Sequence, residues 1–207
     1  FQPLFDLKKG TIRKVEALVR WKHPELGWIS PGEFIPLAEE TGFINRLGSW
    51  VLRTACEQAK DWQRLGWDET CVTVNISPLQ FMQPSFYQEV VDALEAATLS
   101  PEGLELEITE GIMLHGSEHV LGTLAKLRRL GVSIALDDFG TGYSSLAYLR
   151  DLPIDCIKID RSFIRDLGTP YKAPQFALAL VSTIVDLANY LDIKVVAEGI
   201  ETSAQRD

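Results

Sequence analysis

The chain has 207 residues, 46% of them apolar, and a formal net charge of −9. This suffices for one sizeable core, so a single domain is expected, and no apolar run approaches the ~20 residues of a membrane span; with no signal-peptide pattern at the start, a soluble, cytoplasmic chain is predicted. The acidic balance excludes general affinity for a nucleic-acid polymer, and Cys56, Cys71 and Cys156, without a C-x-x-C spacing, read as reduced packing residues rather than a disulfide or zinc set.

Residues 1–7 and 12–20 are strand-like runs joined by Lys8-Lys9-Gly10-Thr11, short enough for a hairpin, so the chain opens antiparallel. In the second run Val15, Ala17 and Val19 alternate with Glu16, Leu18 and Arg20, which places a glutamate and an arginine on one face. The tract 23–28 reads as loop. Ser30, Pro31 and Glu33 then form an N-cap, an N1 proline and a capping box that open a helix to Glu40. A longer helix is predicted over 49–65, stopped by Gly66. Residues 71–77 alternate cleanly, Val72, Val74 and Ile76 against Thr73, Asn75 and Ser77. A helix over 85–97 follows, and then the strand 104–109, where Glu105 and Glu107 share the polar side. Beyond it come a helix over 117–130, a strand from Ser133 to the adjacent acids Asp137 and Asp138, a strand 156–160, an apolar helix over 176–191 and a strand 193–198. From Cys71 onward strands and helices alternate, which predicts parallel strands covered by helices.

After Asp138 the residues Phe139-Gly140-Thr141-Gly142 form a glycine loop, and a helix is expected to resume after Tyr143 with a serine near its N-cap. The distribution of polar groups is more telling than the elements. In a doubly wound sheet central strands are apolar on both faces. Here one face of each strand is apolar while the other carries Glu16, Asn75, Glu107, Asp137, Lys158 or Glu198 near its C-terminal end. Helices outside and polar groups converging at the top describe a TIM-type barrel.

Four carboxylates and an amide oxygen, with no histidine or thiolate on those faces, suit Mg²⁺ or Mn²⁺ rather than zinc. His115 and His119 lie beside a helix start without an H-E-x-x-H pattern and read as surface residues. Adjacent acids such as Asp137 and Asp138 suit two cations a few ångströms apart, the arrangement for attack of water on a phosphodiester. Lys158 would orient or deprotonate that water, or offset charge, and Arg20 would hold a phosphate.

Together Glu16-Ala17-Leu18, Asn75-Ile-Ser77, Glu107-Ile-Thr-Glu110, Asp137-Asp-Phe-Gly-Thr-Gly-Tyr-Ser-Ser145, Lys158-Ile-Asp160 and Ala197-Glu-Gly-Ile-Glu201 resemble the EAL-domain family over essentially the whole chain. The resemblance implies a bacterial phosphodiesterase that hydrolyses cyclic di-GMP to linear pGpG with Mg²⁺ or Mn²⁺, two ions per site, on a modified TIM (β/α)8-type barrel whose first strand is antiparallel. It makes Glu16, Asn75, Glu107 and Asp137 ligands of one metal and Asp137, Asp138 and Glu198 ligands of the second. Asp138 and Glu198 thereby join Lys158, the contact of the nucleophilic water, as catalytic residues, while Leu18 and Arg20 face the substrate. Glu110 steadies the loop Phe139, Gly140, Thr141 and Gly142, which in the family also takes part in homodimer contacts. Glu201 is either an acid behind the metal ligands or a helix-start residue.

Members of the family continue beyond the position of Gln205 into a helix and a final strand, whereas seven strands are counted here. The single EAL domain over 1–207 is therefore expected to be C-terminally incomplete, with adjoining sensory or diguanylate cyclase domains possible in a longer protein. The other class of function is a catalytically silent cyclic di-GMP receptor.

Overall fold

The computed structural model describes residues 1–114, 118–140, 149, 152–167 and 174–206. Contacts divide the chain into two compact units, Phe1–Glu107 with Ala125–Ser133, and Ile108–Leu124 with Ile134–Asp207.

In the first unit β1 (Gln2–Asp6) and β2 (Thr11–Ala17) form the expected antiparallel hairpin. β2 ends at Ala17, so Leu18 and Arg20 follow the strand rather than extend its alternation, a correction to the predicted 12–20 run. The tract expected to be loop is a second hairpin: β3 (Trp21–His23) pairs antiparallel with β4 (Gly27–Ile29). Pro24 and Gly27 are turn signals, and they lie at its tip, where His23 Nδ1 accepts the N–H groups of Glu25 and Leu26 at 3.2 Å. α1 (Pro31–Glu40) carries the capping box read from Ser30 and Glu33. α2 (Ile44–Arg64) begins well before the predicted residue 49. Gly48-Ser49 imitates a cap but lies inside the helix, and Gly48 is needed there because a Cβ would overlap the amide of the buried Gln80.

β5 (Cys71–Ile76) runs parallel to β2, with Glu16 opposite Thr73 and Ala17 opposite Val74. Ser77 caps the one-turn α3 (Pro78–Phe81), α4 (Phe86–Ala97) follows, and β6 (Leu104–Thr109) comes next after β5 in the strand order β1-β2-β5-β6. The core includes Leu52, Ala55, Cys56 and Ala59 from α2 with Val72 and Val74 from β5. Cys56 is a free, buried thiol, pushed up to about 12 by burial and then by Glu57, as expected of a packing residue.

α5 (Glu110–Leu114) and α6 (Glu118–Leu130) precede β7 (Ser133–Phe139). In the second unit β7, β8 (Cys156–Ile159) and β9 (Lys194–Ala197) run parallel in that order, making seven strands with the four above. The short α7 (Arg161–Asp166), absent from the sequence reading, starts on an Asp160 cap directly after β8. α8 (Pro174–Tyr190) and α9 (Ser203–Arg206) complete the elements. Ile134, Leu136, Ile157, Ile159, Ile184 and Ala188 supply this unit's apolar core. No helix among the described residues is long and apolar enough to cross a membrane. The helix expected after Tyr143 lies outside the described residues.

Candidate metal centre

Neighbouring residues of a regular strand point to opposite faces, so Asp137 and Asp138 should diverge. They do not, because β7 is bulged. Leu136 pairs with Ile157 and Phe139 with Ile159, a step of three residues against two, and Asp138 adopts φ 54°. Such a bulge re-aims a side chain, and Asp tolerates the left-handed conformation. Ligand oxygens of Asp137, Asp138 and Glu198 consequently lie within 4.8 Å of one another. The Asp138 backbone N–H donates to Asp137 Oδ1 at 3.0 Å, fixing the first carboxylate from below.

Lys158 stands among these acids. Its side chain is 2% exposed, with Nζ 3.2 Å from Asp137 Oδ1 and 2.7 Å from Glu198 Oε1. An ammonium so removed from water is tolerable only with carboxylates around it. Glu198 follows β9, and its backbone N–H donates to Ile159 O at 3.2 Å, which sets it beside the end of β8. The Asp138 carboxyl is held above its ordinary range by partial removal from water, then by the charge of Asp137 and then of Asp160, against the opposing effect of Lys158. Three oxygen-donor acids gathered around one cation make an arrangement suited to a hard divalent ion.

Glu110, the first residue of α5, accepts the Gly140 N–H through Oε1 at 2.9 Å. Its other oxygen is buried with no hydrogen-bond partner among the described residues. Gly140 has φ 96°, and a Cβ there would lie 2.9 Å from the Phe163 ring, so glycine is required on two counts. Phe139 is buried. Thr141, Gly142 and His115 lie outside the described residues, and His119 is exposed on α6, as read.

In the first unit Asn75 Nδ2 donates to Glu16 Oε1 at 2.8 Å. That bond turns the amide oxygen away from Glu16 and leaves it to serve another group. Glu107 is buried on β6, and so is Glu105, which shared its polar face in the sequence reading. Glu105 is committed elsewhere: it pairs with Lys14. Leu18 is half-buried, while Arg20 is exposed and donates from Nη1 to Val19 O at 2.9 Å. The second unit thus gathers Asp137, Asp138, Lys158 and Glu198 and ties Glu110 to Gly140; the first unit joins Glu16 to Asn75. Glu201 is exposed, and its N–H goes to Gln205 Oε1 at 2.9 Å. Sequence reasoning missed the Lys14 partner of Glu105, the contact of Phe163 with Gly140, and the use of Gln205. Only the last had a signal, the Thr202-x-x-Gln205 spacing of a capping box.

Oxygen donors at the C-terminal ends of parallel strands, with a buried lysine among them, define an α/β protein with an acidic site for hard cations. The family model of the EAL domain matches residues 1–207, and the chain belongs to the EAL domain family. Cyclic di-GMP phosphodiesterase NbdA of Pseudomonas aeruginosa is 44% identical over 205 residues, 99% of this chain and 26% of that protein. The bifunctional diguanylate cyclase/cyclic di-GMP phosphodiesterase MucR of the same organism is 44% identical over 207 residues, 100% of this chain and 30% of that one. The solved structure of the PaMucR phosphodiesterase in complex with c-di-GMP superposes with a TM-score of 0.93 at 44% identity, covering 99% of this chain and 81% of the other. The fold class is accordingly the TIM-type α/β fold of the family with its first strand antiparallel. The chain spans about a quarter to a third of the length of these two curated relatives.

Proposed function

We propose that the chain is a single EAL domain over residues 1–207 that hydrolyses cyclic di-GMP to linear pGpG with two divalent ions, Mg²⁺ or Mn²⁺. The observation that carries this reading is the cluster of Asp137, Asp138 and Glu198 around Lys158, in a chain 44% identical to two proteins named as cyclic di-GMP phosphodiesterases. Glu16, Asn75, Glu107 and Asp137 would hold one ion; Asp137, Asp138 and Glu198 would hold the other. Their donors are all oxygen, which fits Mg²⁺ or Mn²⁺. When bound, such a pair lowers the pKa of the attacking water and polarises the phosphodiester.

The chain's own residues supply the rest. Lys158, held 3.2 Å from Asp137 Oδ1 and 2.7 Å from Glu198 Oε1, stands where it would contact and orient the attacking water. Its charge offsets negative charge that grows on the phosphoryl oxygens. Attack by water breaks the P–O3′ bond, leaving the phosphate on the 5′ side and a 3′-hydroxyl on the other. Exposed Arg20 presents guanidinium donors to a substrate phosphate, and Leu18 supplies apolar contact beside it. Glu110 holds Gly140 in place and with it the start of the loop that follows Asp138. We place the chain in the cytoplasm, as a homodimer with that loop at its contacts; the name of MucR, of which this chain matches 30%, supports adjoining domains such as a diguanylate cyclase.

Calorimetric titration of the chain with Mn²⁺, followed by cyclic di-GMP in the presence of Ca²⁺, tests the assignment. Two bound ions and subsequent nucleotide binding are expected. Nucleotide binding of unchanged affinity in the absence of any ion would instead favour a silent receptor.

A further inference from the structure

The acidic cluster depends on the relative placement of Lys158 and Glu198, which lie at the ends of β8 and β9. The segments leaving these two strands differ in length but are joined to each other. After β8, Asp160 caps α7 by accepting the Ser162 N–H at 2.9 Å. After β9 the chain turns at Gly199, φ 70°, and lies so close to α7 that a Cβ on Gly199 would fall 2.9 Å from Arg161 Cβ. One side chain then binds the two segments. Gln205 Oε1 accepts the N–H groups of Glu201 and Thr202, each at 2.9 Å, while Nε2 donates to Ile164 O on α7 at 3.2 Å.

The Thr202 bond and the Gln205 N–H to Thr202 Oγ1 at 3.3 Å form a capping box for α9, and the Glu201 N–H just before the cap shares the same acceptor. Glutamate would accept both N–H groups equally. The bond to Ile164 O requires an amide donor, which a capping role does not need. We propose that Gln205 is a positioning residue: through Ile164 it fastens the turn behind Glu198 to the helix behind Lys158, and so sets the Glu198 carboxylate against the Lys158 ammonium. The proposal rests on the phosphodiesterase reading for its consequence, not for its geometry. Partners behind metal ligands commonly change metal affinity by about 10–100-fold when removed.

Two variants separate the tie from the cap. Gln205→Glu keeps both cap acceptors and loses the donor to Ile164; Gln205→Leu loses both. The metal-independent readout is amide hydrogen exchange at Glu198, whose N–H is bonded to Ile159 O and reports whether the end of β9 stays on β8. Both variants are expected to exchange this proton about tenfold faster than wild type in the absence of metal. Mn²⁺ affinity should fall about tenfold in both as well, with turnover reduced and the KM for cyclic di-GMP nearly unchanged. The glutamate brings an extra negative charge, which by itself would strengthen cation binding, so a weakening runs against simple electrostatics. Unchanged Glu198 exchange in Gln205→Glu overturns the proposal, whatever the metal data say. Faster exchange in the variants, with a wild-type chain that binds no Mn²⁺, would leave the tie standing and remove the phosphodiesterase reading alone.

Discussion

Replacing Lys158 by methionine preserves most of the side chain's volume and deletes its charge. In the metal-free chain that charge is the counter-ion for Asp137 at 3.2 Å and Glu198 at 2.7 Å. Removing one partner of a buried ion pair costs about 3–5 kcal/mol. The lower end applies here, because the carboxylate side chains are 13% and 28% exposed and can recover some hydration. At about 2–4 °C per kcal/mol for a chain of this size, Lys158→Met should melt about 6–12 °C below wild type in chelator. Saturating Mn²⁺ should recover a large part of that loss, since the ion supplies the missing positive charge, yet turnover of cyclic di-GMP should stay suppressed. Differential scanning calorimetry with and without Mn²⁺, paired with a turnover assay, measures all three. A metal-free melting temperature within about 2 °C of wild type would refute the assignment of Lys158 as the counter-ion.

Glu16→Ala should lower turnover by about a hundredfold or more while changing stability by less than about 1 kcal/mol, because a half-buried strand-end acid supports a cation more than the fold; normal turnover would remove Glu16 from the ligand set. Glu110→Ala deletes the acceptor of the Gly140 N–H and should cost about 1–3 kcal/mol of local stability, read as faster exchange at Gly140 together with reduced activity; a fully active variant with normal Mn²⁺ affinity would count against the loop's role. Asp138, with its folded pKa raised above the ordinary 3.8, binds its proton more tightly folded than unfolded, so its ionisation lowers stability as pH rises through that window and the deficit persists at neutral pH. Asparagine tolerates φ 54° equally well, so metal-free Asp138→Asn should melt above wild type at pH 7 and converge with it once pH falls below 3.8; a lower melting temperature at pH 7 would show that the ionised acid is stabilised by its neighbours.

The strands were legible wherever alternation was strict. Val72, Val74 and Ile76 against Thr73 and Asn75 marked β5: the three apolar residues are buried in the core, and of the other two Thr73 is buried as well while Asn75 is exposed and bonds Glu16. Elements governed by packing were less legible. The helix start was read at residue 49, and the Gln80 amide packed against Gly48 accounts for a glycine inside the helix that in fact begins at Ile44. The β3–β4 hairpin was hidden because strands of three residues carry no readable period. At the site, residue identities could be read from the motifs but their convergence could not. That Asp137 and Asp138 point together depends on a one-residue bulge, which involves the partner strand β8 and leaves no trace in β7's own pattern. The pairing of Glu105 with Lys14 likewise joins strands 91 positions apart in sequence, so two similar acids on β6 differ in role for a reason neither carries alone.

Chromatography of cyclic di-GMP incubated with the chain, in Mn²⁺, in Mg²⁺ and in chelator, tests the central claim most directly. Linear pGpG formed with either ion and absent in chelator is the predicted result. Intact cyclic di-GMP in every condition, from a chain that binds both the nucleotide and Mn²⁺, would contradict the assignment of Lys158 and the surrounding acids as a hydrolytic centre.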